Sequence, residues 1–213
     1  VRVVLTGATG GIGRTIADVL KKSDIELLEL NKLTCDLSTG GIDFSFEDFE
    51  PVDGLIHCAG INIVKDYKNI NKEEFYRLFN INAFSFVSLC QKINFSSGSN
   101  IIAIGSLWAT GTKNGRIQYS MSKHALLAAV KTLALEMSEH QVKVNMVSPG
   151  FVNTHMTQQY NSADHIRKLD EYIPLGLTQP AEIGTLCLYL LKNNVSITGQ
   201  NLIIDGGYSC KNI

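Results

Sequence analysis

Apolar residues fall in short unbroken runs, separated by stretches with helical spacing. Residues 1–6, 26–30, 55–58, 100–105, 142–147 and 201–205 are such runs, rich in Val, Ile and Leu. They lack strict polar alternation, so they predict strands covered on both faces. Residues 12–22 place Ile12, Ile16, Val19 and Leu20 on one side of a helix. Residues 72–93, 119–138 and 181–191 predict further helices. Strands alternating with helices predict an α/β fold, a doubly wound parallel sheet with helices on both faces. No repeat, low-complexity tract or linker interrupts the pattern. Residues 1–213 are therefore expected to form a single domain. Residues 154–177 break the alternation. They are polar, follow a strand end, and are expected to form an irregular binding loop or lid.

The first turn carries chemistry. "LTGATGGIG" closes the first strand and opens the first helix, with glycines at Gly7, Gly11 and Gly13. Glycine lets backbone approach a ligand, and a helix N-terminus offers free N–H groups to a pyrophosphate. The same letters satisfy a second spacing, Gly7, Gly10 and Gly13, so the turn alone leaves two dinucleotide-binding groups open. An acidic residue closing the second strand would repel a 2′-phosphate. Here Asn31 stands at that point, followed by Lys32, which favours NADP(H) over NAD(H). The competing reading of Lys32 is a solvated lysine at a strand end.

Totals change little but exclude much. The 213 residues suffice for one large core, and 45% hydrophobic with 18% charged residues excludes a disordered chain. A formal net charge of −1 with scattered basic residues argues against a nucleic-acid partner. No apolar run approaches the ~20 residues of a membrane span, and the opening "VRVVLTGATGGIG" reads as a core strand, not a signal peptide. Cys35, Cys58, Cys90, Cys187 and Cys210 are odd in number and widely spaced. Free thiols are expected, with neither disulfides nor a metal site, and a cytoplasmic location.

"QYSMSKHALLAAV" puts Tyr119 and Lys123 four residues apart at the head of an apolar run. On a helix they share one face, one turn apart. In order along the chain stand TGxxxGxG (Thr6 to Gly13), Asp36-Leu37, Ala59-Gly60, Asn82 in "NINAF" and Ser106 in "IAIGS". YxxxK (Tyr119, Lys123), "VNMVSPGFVNT" and "IIDGG" follow. With these pieces the chain resembles the classical short-chain dehydrogenase/reductase family along essentially its whole length. Ser106 lies thirteen residues before Tyr119, as the classical type implies.

The resemblance implies a Rossmann-type sheet of six or seven strands. It implies an oxidoreductase moving a hydride between a nicotinamide cofactor and a carbonyl or secondary alcohol. Tyr119 would be the general acid/base, its phenol lowered by the neighbouring Lys123 ammonium. Ser106 would hydrogen-bond the substrate oxygen. Asn82 would hold a water in a proton relay from Lys123. Cofactor contacts would come from Gly7, Gly11, Ile12 and Gly13 at the pyrophosphate, with Asn31 and Lys32 at the ribose. Asp36 and Leu37 would approach the adenine, and Ala59 and Gly60 the ribose behind it. Tyr119 and Lys123 would meet the nicotinamide ribose, and Pro149, Gly150, Val152 and Thr154 the carboxamide. Taken singly, each catalytic candidate has a plain alternative: an amphipathic core Tyr, a solvated Lys, a strand-end Ser, a helix-kink Asn.

Two departures matter. His57-Cys58 replaces the family's usual Asn-Asn before Ala-Gly, and His57 reads as a strand-end histidine, not a metal ligand. Only residues 32–35 separate Asn31 from Asp36, whereas a parallel crossover needs about 10–12 residues. The helix between the family's second and third strands is expected to be missing, with the third strand a stub or lost and the adenine side open. Trp108, His155 and Met156 are substrate-pocket candidates. The apolar helices predict a homodimer or homotetramer. A non-catalytic NAD(P)-binding sensor or scaffold on the same fold is the rival reading.

Overall fold

A computed structural model describes residues 1–154, 157–158 and 162–211. His155, Met156, Gln159 and Tyr160 lie outside the described residues. Six parallel strands form one sheet in the order β2-β1-β3-β4-β5-β6. They are β1 Arg2–Thr6, β2 Glu26–Leu30, β3 Val52–His57, β4 Phe95–Ile104, β5 Lys143–Pro149 and β6 Asn201–Ile204. The α-helices are α1 Gly11–Lys21, α2 Lys72–Phe79, α3 Ser85–Lys92, α4 Ile117–Glu136, α5 Ala163–Tyr172 and α6 Pro180–Asn193.

Strand residues alternate between two cores. Val4, Leu55, Ile101 and Val144 face Phe86, Leu89, Leu126 and Val130 of α3 and α4. Val3, Leu5, Ile56 and Ile102 face Ile16 and Leu20 of α1 and Ile183 and Leu190 of α6. Each buried Leu, Ile or Phe contributes about 1.5–3 kcal/mol relative to exposure, so both faces must be apolar and the strands read as unbroken runs. Connections from β1 run to β2 on one side and from β2 over to β3 on the other. The crevice at the C-terminal ends of β1 and β3 is therefore the place for a ligand.

The trimmed edge is present. Between β2 and β3 stand only two 3₁₀ turns, Leu37–Thr39 and Glu47–Phe49, and β2 is the edge of the sheet. Cys35, Leu37, Ile42 and Phe46 are buried there, with Phe44 and Phe49 packed against the same core, in place of a crossover helix. Residues 72–93 do not form one helix: a π-helical turn, Asn80–Phe84, divides α2 from α3. Residues 154–177 are not wholly irregular either. Helix α5 occupies their second half, with Ser162 at its N-cap accepting from the His165 N–H at 3.2 Å. No helix among the described residues is long and apolar enough to cross a membrane.

Candidate active site

A cleft of about 380 Å³ opens over the C-terminal ends of β1 and β3. Gly7, Gly11, Ile12 and Gly13 form its floor. Gly7 has φ +73°, and a Cβ there would stand 2.6 Å from the Ala59 N. A Cβ on Gly13 would stand 2.1 Å from the Gly7 carbonyl oxygen. Only glycine fits either position. Helix α1 begins at Gly10 with no side-chain cap, so its first-turn N–H groups are left for an anion.

The adenine end is built from the trimmed edge. Asn31, Lys32, Asp36 and Leu37 line the cleft as expected. The Asn31 Oδ1 is already used, accepting from the Leu33 N–H at 2.8 Å and the Thr34 N–H at 3.3 Å. Asp36 accepts from the Ser38 N–H at 2.9 Å, which holds its carboxyl below the usual range. Lys32 adds a smaller effect in the same direction, and so does Arg77. Arg77 comes from α2, lines the same end, and was not legible from the sequence. Its only sequence signal was the missing crossover helix, which leaves α2 free to face the cleft. Cys58 was missed as well; it lines the cleft beside Ala59 and Gly60.

At the other end stand Tyr119, Lys123 and Thr154. Helix α4 puts Lys123 one turn beyond Tyr119, with its Nζ 5.7 Å from the phenol ring centroid. The Lys123 Nζ donates to the Ile104 carbonyl at the end of β4, at 2.8 Å. Burial lowers the Lys123 pKa to about 8. Burial also pushes the Tyr119 phenol above its ordinary value, against a hydrogen bond with Ser106 and the charge of Arg116. Desolvation is the largest influence on the phenol, and the net shift is upward. Ser106 begins the 3₁₀ turn Leu107–Ala109, and its Oγ accepts from the Trp108 N–H at 3.2 Å.

Asn82 lies in the π turn, fully buried. Its Oδ1 accepts from the Ile61 N–H at 2.8 Å. Its Nδ2 donates to the Ile61 carbonyl at 2.9 Å and to the Ser122 Oγ at 3.0 Å. Both amide protons are engaged, so the side chain serves as an anchor between the loop after β3 and α4. A Cβ on Gly60 would stand 3.4 Å from the Asn82 Oδ1 and 3.7 Å from the Lys123 Nζ, so the two polar groups face the same point.

Among the described residues, six of those expected at the site, Asn82, Ser106, Trp108, Pro149, Gly150 and Val152, are not among those lining the cleft. Pro149, Gly150 and Val152 turn toward β6 and α6 instead. The Gly150 N–H donates to the Ile204 carbonyl at 2.9 Å, and Val152 bridges to Thr178. Trp108 is half-buried one turn past Ser106 and does not line the cleft. Among the described residues no His, Cys, Asp or Glu cluster could hold a metal, and the five cysteines are free thiols. Burial pushes both Cys58 and Cys90 up to about 12, which makes them inert at neutral pH.

Comparison with known proteins identifies the family and the fold. The profile of a family described as enoyl-(acyl carrier protein) reductase matches residues 38–209. An uncharacterized oxidoreductase, YmfI of Bacillus subtilis (strain 168), is 30% identical over 239 residues, covering 97% of this chain and 98% of that protein. A 3-oxoacyl-[acyl-carrier-protein] reductase of Rattus norvegicus is 28% identical over 228 residues, covering 94% of each. The solved structure of a 3-ketoacyl-(acyl-carrier-protein) reductase from Brucella melitensis, complexed with NADH, superposes with a TM-score of 0.85 at 21% identity, covering 98% of each chain.

Proposed function

The chain belongs to the classical short-chain dehydrogenase/reductase family, and from that premise we propose that it reduces a ketone to a secondary alcohol with NADP(H). The observation that carries this reading is that Tyr119 and Lys123, one helical turn apart, line the same cleft as the glycine turn. The residues present fit a nicotinamide dinucleotide: a bare glycine turn at a helix N-terminus, an apolar wall, and a buried Lys123 beside a half-buried Tyr119. When bound, the cofactor supplies the hydride.

The chain's own residues do the rest. The α1 N-terminus holds the pyrophosphate, and Gly7 and Gly13 let it approach. Ser106 binds the carbonyl oxygen and orients it toward Tyr119. Tyr119 gives its proton to that oxygen as negative charge develops there. Burial raises its pKa, so the phenol carries a proton at neutral pH, as a donor must. The Lys123 ammonium then stabilises the tyrosinate left behind. Asn82 fixes Ile61 beside Lys123, along the route by which the proton is replaced. Lys32 and Arg77 at the adenine end support NADP(H), since both can meet a 2′-phosphate.

The 3-oxoacyl reductase relatives make an oxoacyl thioester the first substrate class to try. Residues 154–177, including α5, serve as the substrate lid in this reading. NADPH and NADH oxidation against a carbonyl panel headed by an oxoacyl thioester tests it. Turnover with NADPH preferred is the expected result; binding of either cofactor without turnover of any carbonyl contradicts it.

A further inference from the structure

His57 is a buried titratable group that the proposed reaction does not use. It ends β3, is 0% exposed, and packs its ring against Phe86 at 5.8 Å between centroids. Its Nδ1 lies 3.1 Å from the Thr6 Oγ1 and its Nε2 3.2 Å from the Ile81 carbonyl oxygen. These partners fix the tautomer. A carbonyl can only accept, so Nε2 carries the proton. The Thr6 Oγ1 already accepts from the Ala59 N–H at 3.1 Å, so its own proton points to Nδ1. The ring is neutral and links β1, β3 and the π turn. Burial, with the nearby charge of Lys123, pushes its pKa down to about 3, in keeping with that state.

The Ile81 carbonyl is available because of the π turn. The Ser85 N–H bonds to the Asn80 oxygen, one residue further back than an α-helix would choose. The freed Ile81 oxygen takes the Ser85 Oγ at 2.9 Å and the His57 Nε2 instead. The next residue is Asn82, whose side chain holds both polar groups of Ile61.

We propose that His57 is a positioning residue: by holding the Ile81 carbonyl in the widened turn, it aims Asn82 at Ile61 and so fixes the loop beside Lys123. The turnover arm of its test rests on the proposed reductase activity; the exchange arm does not.

Two variants separate positioning from packing. In His57→Gln the amide reaches the depth of Nε2 and keeps a donor for Ile81 while losing Thr6. In His57→Asn the amide sits at the depth of Nδ1, keeps Thr6 and loses Ile81. Each loses one bond, so a merely structural role would treat them alike. The first readout is amide hydrogen exchange of Ile61 relative to Ile102, a strand amide of the core, in the full chain. The expected result is that His57→Asn speeds Ile61 exchange about tenfold and His57→Gln leaves it near wild type. The second readout is turnover, with kcat falling about tenfold in His57→Asn alone and the KM for NADPH unchanged in both. Equal effects of the two variants on Ile61, or a larger effect of Gln, would overturn the proposal. If wild type turns over no carbonyl, the reductase reading fails, and the exchange arm still decides the role of His57.

Discussion

Burial acts on Tyr119 and Lys123 in opposite senses, raising the phenol and lowering the ammonium to about 8. The pair is therefore mostly protonated at neutral pH, which suits an acid that must give a proton away. Below about pH 8 the Lys123 charge is present and supports the tyrosinate formed in turnover; above it the charge is lost. Ketone reduction at saturating cofactor is expected to be flat from pH 6 to about 7 and to fall as pH rises through about 8. A rate–pH profile that keeps rising past pH 9 would contradict this. At this scale Asn82, Ser106, Tyr119 and Lys123 were named in the sequence through the family resemblance, and only the shared helix face of Tyr119 and Lys123 followed from spacing itself. The direction of the Tyr119 shift was not legible, because it depends on how much water the fold removes. The two bonds of His57 were equally hidden, since Thr6 and Ile81 approach it from distant parts of the chain.

Among the elements, the trimmed connection between β2 and β3 shapes the cofactor end most. Its lack of a helix was readable because only residues 32–35 separate Asn31 from Asp36, too few for a helix and a further parallel strand, although residues 31–51 in all connect β2 to β3. What replaces it was not readable: Phe44, Phe46 and Phe49 form no periodic pattern, yet they cover the core beside β2. The same trimming leaves Arg77 of α2 at the adenine end with Lys32. Lys32→Ala and Arg77→Ala are each expected to weaken NADPH binding about tenfold, the size of one charge-assisted hydrogen bond, and to leave NADH binding unchanged. Fluorescence titration with both cofactors measures this; equal losses for NADH and NADPH would remove the 2′-phosphate from the account. The π turn was legible only as the neighbourhood of Asn82, since a widened turn needs Ser85 and His57 to claim the Ile81 carbonyl.

For the whole molecule, the six-stranded parallel sheet was legible because both faces of every central strand must be apolar. The pairing at the end of β5 was not legible: Gly150 bonds to Ile204 of β6 and Val152 bridges to Thr178, pairings set by strand order and not by local pattern. The surface carries apolar side chains on α2 to α4, with Tyr76, Phe84, Ile117 and Met121 exposed. Such a face fits a self-complementary two-fold contact. Light scattering coupled to gel filtration is expected to show a dimer or tetramer, and Met121→Glu to lower the assembly state. A monomeric wild type would contradict the contact. The central claim is that Tyr119 is the proton donor in a cofactor-dependent ketone reduction. Tyr119→Phe tests it most directly, with NADPH binding followed by fluorescence and NADPH oxidation followed against a ketone that wild type reduces. The account predicts unchanged cofactor affinity and a loss of turnover of at least about a hundredfold; retained turnover in Tyr119→Phe would contradict it.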